Sequence, residues 1–123
     1  MMDQPSALEL VTAVKEFIEK HAMPQLTGHT AFHARVAANA LGIVARELEF
    51  GPKAGQDELA RLESMLGMKG SMDELNRELC RRIRTGDVGM MTPGIGEHMR
   101  ATTIDKVAID QPSYSGFKAA TKA

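Results

Sequence analysis

A single cysteine, Cys80, stands among the 123 residues, so no intramolecular disulfide framework exists and a reducing compartment is the natural setting. Neither sign of charge is in excess. Fifteen basic against sixteen acidic residues give a net charge of -1, which offers no field to a polyanion and excludes nucleic acid from the expected partners. No apolar run approaches the ~18 residues of a membrane span. The opening Met1-Met2-Asp3-Gln4-Pro5 lacks the basic segment and apolar stretch of a secretory leader. A cytoplasmic protein without a membrane partner is expected. Aromatics are scarce, at 4% with no tryptophan, and no alternating polar-apolar run suggests a strand.

What is present is an ordinary globular composition, 43% hydrophobic and 25% charged. A chain of this length buries roughly two thirds of its unfolded surface, enough for one core without metal or disulfide. Helical periodicity occurs five times, which predicts an all-α, single-domain bundle over residues 1–112, up-and-down or orthogonal, followed by a mobile tail at 113–123. The first helix spans about Ser6 to Ala22, with Ser6 and Glu9 spaced as a capping box and an apolar face of Leu10, Val11, Val14, Phe17 and Ile18. The second runs from about Thr30 to Phe50, where Gly51-Pro52 is expected to stop it. A third covers Gln56 to Leu66. The fourth opens on Ser71 and Glu74 and ends at Gly86, and the fifth runs from Pro93 to Asp110.

On a helical wheel the second helix gathers Phe32, Val36, Ala37, Ala40, Leu41, Ile43, Val44 and Leu48 on one arc. His33 and Glu47 fall inside that arc. A carboxylate among aliphatic neighbours must find a cation or a proton, so Glu47 is expected to be buried and paired, with Arg82 the leading partner and Arg81 and Arg84 farther round. A register-fixing ion pair is the commoner outcome, and a catalytic carboxylate the rarer one.

His33 lies near the start of the second helix, and an antiparallel first helix would bring His21 and His29 to the same end. These three histidines are the one metal-ligand grouping the sequence offers. Capping or hydrogen-bonded histidines are the competing reading, because no carboxylate or cysteine is placed as a further ligand. His29 and His33 have zincin spacing, but Thr30 stands where a zincin needs glutamate. Gly94-Ile95-Gly96 lacks the third glycine, the following lysine and the preceding strand of a phosphate loop. Arg81, Arg82 and Arg84 suit the negative end of their helix, and Cys80 and the methionines are expected to fill the core. No cofactor is implied.

The run Phe32-His33-Ala34-Arg35-Val36-Ala37-Ala38-Asn39-Ala40-Leu41, continued by Ile43-Val44-Ala45-Arg46-Glu47-Leu48, resembles the central motif of a family of small bacterial proteins of unknown function. Leu75-Asn76, Leu79-Cys80, Ile83-Arg84 and Ala108-Ile109-Asp110 with Pro112 and Tyr114 are similar to its later blocks. Such proteins are often encoded beside acyl-CoA dehydrogenase-like and aminoglycoside phosphotransferase-like proteins. The resemblance implies a setting in acyl-CoA or small-molecule catabolism and carries no catalytic residues.

Two functional expectations follow. The first is a non-enzymatic accessory or interaction protein that binds a partner chain, such as the phosphotransferase-like neighbour, or a second copy as a homodimer. The second is a small enzyme or ligand carrier using a polar site around His33, Arg35, Asn39 and Glu47, with Arg82 and Arg84, for a phosphorylated or CoA-linked metabolite.

Overall fold

A computed structural model describes residues 3–122, which form helices and connecting turns with no strand among them. Helix α1 (Ala7–Phe17) continues through a wider π-type turn, Ile18–Ala22, and a tight 3₁₀ turn, Met23–Gln25. Then come α2 (Gly28–Leu66), α3 (Met72–Thr85), α4 (Ile95–Asp110) and α5 (Ser115–Thr121). The expected all-α class holds. Among the described residues no helix is long and apolar enough to cross a membrane.

The helix starts follow local chemistry. Ser6 Oγ accepts from the Glu9 amide at 3.1 Å while Glu9 Oε1 accepts from the Ser6 amide at 3.1 Å, and Ser71 and Glu74 repeat the same box at the start of α3. Each box satisfies two amides that the first helical turn would otherwise leave bare. Gly86 ends α3 at φ 84, a left-handed conformation that a side chain would resist.

One expectation about the elements is corrected. Gly51-Pro52 does not end a helix: α2 runs through Pro52 for 39 residues, absorbing the separate helix expected from Gln56. One proline removes one amide donor and crowds one carbonyl, a local cost that a long helix on either side can absorb. The C-terminal segment contains α5, and Arg100 Nη2 of α4 donates to the Ala120 carbonyl at 2.9 Å.

The chain divides into two compact units, one up to Pro52 and one from Lys53. The second holds a conventional aliphatic core. Leu62 and Leu66 of α2, Leu75 and Leu79 of α3, Val88 of the connector and Ile95 of α4 are buried together, with Leu59, Met65 and Met72 packed around them. Cys80 is exposed, and Met90 and Met91 are 96% and 94% exposed, so the expectation that these side chains fill the core fails for all three.

The first unit is built differently. Its α1 buries no residue, and among its described residues only Ala38 and Gly42 are buried. A Cβ on Gly42 would lie 3.2 Å from Lys15 Cε, so the Lys15 side chain of α1 lies over Gly42, on the side of α2 that also carries the buried Ala38. Much of the arc expected to be the core side faces outward: Phe32, Val36, Val44 and Leu48 are 58%, 48%, 44% and 40% exposed, while Leu41 and Ile43 are half-buried. On α1, Leu10, Val14 and Phe17 are likewise uncovered. Hydropathy marks which residues are apolar without showing which of them the fold covers.

Candidate functional site

Each polar residue singled out in the first unit lies at the surface. His33 is exposed, its ring edge-on to Phe32 at 5.5 Å, and Arg35, Asn39 and Glu47 are exposed as well. Burial of Glu47 is thereby corrected. Its carboxylate lies against the following turn of its own helix, where a Cβ on Gly51 would come within 2.7 Å of Oε1. Once the aliphatic arc is outside, the carboxylate needs no buried cation because water solvates it.

Arg82, expected as the partner, donates instead to Glu78 on its own helix at 3.2 Å, and Arg84 is exposed. Glu78 also receives Arg81, whose hydrogen bond is the main reason its carboxyl is lowered to about 2. His21 and His29 are exposed too, His21 resting 6.0 Å from the Phe17 ring. Among the described residues no group of three or more His, Cys, Asp or Glu side chains is placed to hold a metal ion.

The one buried polar residue among those described lies in the second unit and was not singled out from the sequence: His98 on α4, 3% exposed. Arg61, in the last turns of α2, donates from Nε to His98 Nδ1 at 3.2 Å and from Nη2 to Thr102 Oγ1 at 3.1 Å. Since Nδ1 accepts, the imidazole is neutral and carries its proton on Nε2. Burial first, then the adjacent guanidinium, holds the His98 pKa below its ordinary value, with Glu58 pulling the other way.

Both residues line a cleft of about 640 Å³, together with Ser64, Thr92, Gly94 and Glu97. Gly94 precedes α4 at φ 87, and no side chain caps that helix start. Arg61 uses two of its five donors on neutral groups and, among the described residues, forms no salt bridge. The site therefore combines a half-buried guanidinium, with Glu97 in the same wall, and a neutral imidazole. Sequence signals existed for both. Arg61 interrupts the apolar side Leu59, Leu62, Met65 and Leu66, while His98 and Thr102 share one face of α4 at four-residue spacing.

No curated protein and no solved structure matches the chain. Residues 24–114 match a family described as a domain of unknown function, DUF6285, and the matched stretch contains the whole cleft while leaving out α1. With three quarters of its length in that match, the chain belongs to the DUF6285 family.

Proposed function

We propose that this chain is a non-enzymatic helical accessory protein whose N-terminal hairpin is a docking surface, and that its occupant is the hairpin of a second copy. The observation that carries the reading is the outward-facing amphipathic arc: seven large apolar side chains, Leu10, Val14, Phe17, Phe32, Val36, Val44 and Leu48, stand 40% to 59% exposed. They leave on the order of 600 Å² of apolar surface in water, the size of the largest patch on a typical monomer. That suits the apolar centre of an interface burying about 800 Å² per partner.

Two antiparallel helices meeting the same two about a twofold axis form a four-helix bundle, the commonest way for such a pair to gain a core. The net charge of -1 does not oppose self-association. A role in acyl-CoA or small-molecule catabolism, beside the phosphotransferase-like or dehydrogenase-like neighbour, is the setting that the motif resemblance supports.

Light scattering on eluted protein between about 1 and 100 μM tests the pairing across the relevant affinity range. A species of twice the 13.4 kDa chain mass, dissociating on dilution, is expected. A monomer at every concentration overturns self-pairing, and stable co-elution of that monomer with a different protein through the hairpin assigns the surface to a foreign helix instead.

A further inference from the structure

The connector between α3 and α4 lies in the second unit and shares no residue with the docking hairpin. It closes a tight turn, Gly89-Met90-Met91-Thr92, in which the Thr92 amide donates to the Gly89 carbonyl at 3.0 Å and the Gly89 amide donates to Thr92 Oγ1 at 2.9 Å. Buried residues anchor both sides: Val88 leads into the turn, and Ile95 follows it with its amide donating to the Thr92 carbonyl at 3.2 Å. Met90 and Met91 take the two central positions. The pinned backbone holds both side chains at the apex, 96% and 94% exposed, whereas the next most exposed large hydrophobic side chains among the described residues, Phe17 and Tyr114, reach 59%. Met90 borders an apolar cleft of about 310 Å³ with Ile83, Val88, Ile95 and Met99, and even that cleft does not take it in.

We propose that Met90 and Met91 are a site of reversible oxidation, where a two-electron oxidant of the peroxide class converts the thioethers to sulfoxides while the fold stands. Thioether reactivity follows access to the sulfur, and these two side chains meet water on nearly every side. In each reaction a lone pair of Sδ attacks one oxygen of hydrogen peroxide. The S–O bond forms as the O–O bond breaks, and the departing hydroxide takes the proton left on the transferred oxygen and leaves as water. Sulfur loses two electrons and the peroxide gains them. The product is polar and stays in solvent, so no buried contact is broken at the turn. Met65 and Met72 present the opposite case, because they pack against the aliphatic core, where a sulfoxide oxygen would lack a partner. Methionine sulfoxide reductases, one for each sulfoxide epimer, restore the thioether.

The test exposes the full chain to hydrogen peroxide near neutral pH, with the exposed Cys80 alkylated beforehand, and follows each methionine by mass spectrometry of tryptic peptides. Residues 70–77 carry Met72 alone and serve as the internal reference, while fragment ions of residues 85–100 separate Met90 and Met91 from Met99. Met90 and Met91 are expected to react at least about fivefold faster than Met72, and both reductases together should return them to thioethers. The thermal midpoint should stay within about 2 °C of the untreated chain while the pair is oxidised.

Met90→Leu combined with Met91→Leu keeps the apolar bulk, removes both sulfurs and should hold the same midpoint before and after the same peroxide dose. Oxidation of Met72 as fast as the pair, a midpoint that falls with peroxide in the parent but not in the double variant, or sulfoxides at the pair that the reductases leave untouched each overturns the proposal. Reactivity of the pair that declines as protein concentration rises also overturns it, and assigns the turn to a contact between copies.

Discussion

Phe17→Ala separates a docking face from an idle one. At 59% exposure Phe17 leaves roughly 120 Å² of ring in water, given about 200 Å² for a whole aromatic side chain. Covering that area is worth about 3 kcal/mol at about 25 cal/mol per Å². A symmetric dimer carries the substitution twice, so the ceiling is about 6 kcal/mol; incomplete cover and the ordering of side chains reduce it to about 3 kcal/mol.

A loss of that size weakens dimerisation about a hundredfold. Sedimentation equilibrium over a concentration series measures it directly. Urea unfolding of the dilute monomer supplies the control, because truncating an exposed ring there should change stability by less than about 0.5 kcal/mol. A dimer constant within about threefold of the parent, with the monomer equally stable, would refute the assignment of this face.

Leu62→Ala empties a site that is 0% exposed at the centre of the second unit's core, and should cost about 3 to 5 kcal/mol, lowering the thermal midpoint by more than about 10 °C. Ser71→Ala removes one half of the α3 capping box and should cost about 1 kcal/mol in urea unfolding. Carboxyl NMR should find Glu78 titrating at about 2, and Arg81→Met should return it toward the ordinary range near 4.5; the stability this carboxylate contributes is full above that ordinary value and is lost as pH falls toward 2. His98 contributes in the same direction from a different range. Its folded pKa is depressed, so below about 6.5 the unfolded chain takes up a proton that the folded chain refuses, and stability should decline as pH falls from there; His98→Gln should flatten that part of the profile, which calorimetry across pH 5 to 8 would show.

The helix boundaries set by side-chain chemistry were legible in the sequence. Ser6 with Glu9, Ser71 with Glu74, and Gly86 act within four residues of one another, so no distant contact can overrule them. Pro52 was misread because a missing amide is a cost, and whether the chain accepts it depends on the helix on both sides. Glu47 was misplaced for a related reason: a wheel shows that an arc is apolar without showing that the same chain covers it. Arg61 and His98 went unnoticed because their significance lies in a pairing across 37 positions. A search for charged residues inside apolar stripes flags Glu47 and Arg61 alike, and tertiary packing decides which is solvated and which is half-buried.

The two units distribute their apolar residues in opposite ways. From Lys53 onward, large aliphatic side chains meet one another, and Leu62 and Leu75 are fully enclosed. Up to Pro52 the seven large side chains of the docking face point outward, Val11, Ile18 and Leu41 are half-buried, and among the described residues only the small Ala38 and Gly42 are buried, which removes little apolar surface from water. A helical pair packed in that manner gains little from its own fold, whereas ordering it still costs conformational entropy at every residue. A partner that binds only the ordered hairpin stabilises it in proportion to the logarithm of its concentration. The hairpin is thus the half of the chain whose stability should depend on what it touches, and the aliphatic core beyond Pro52 is the half that should not.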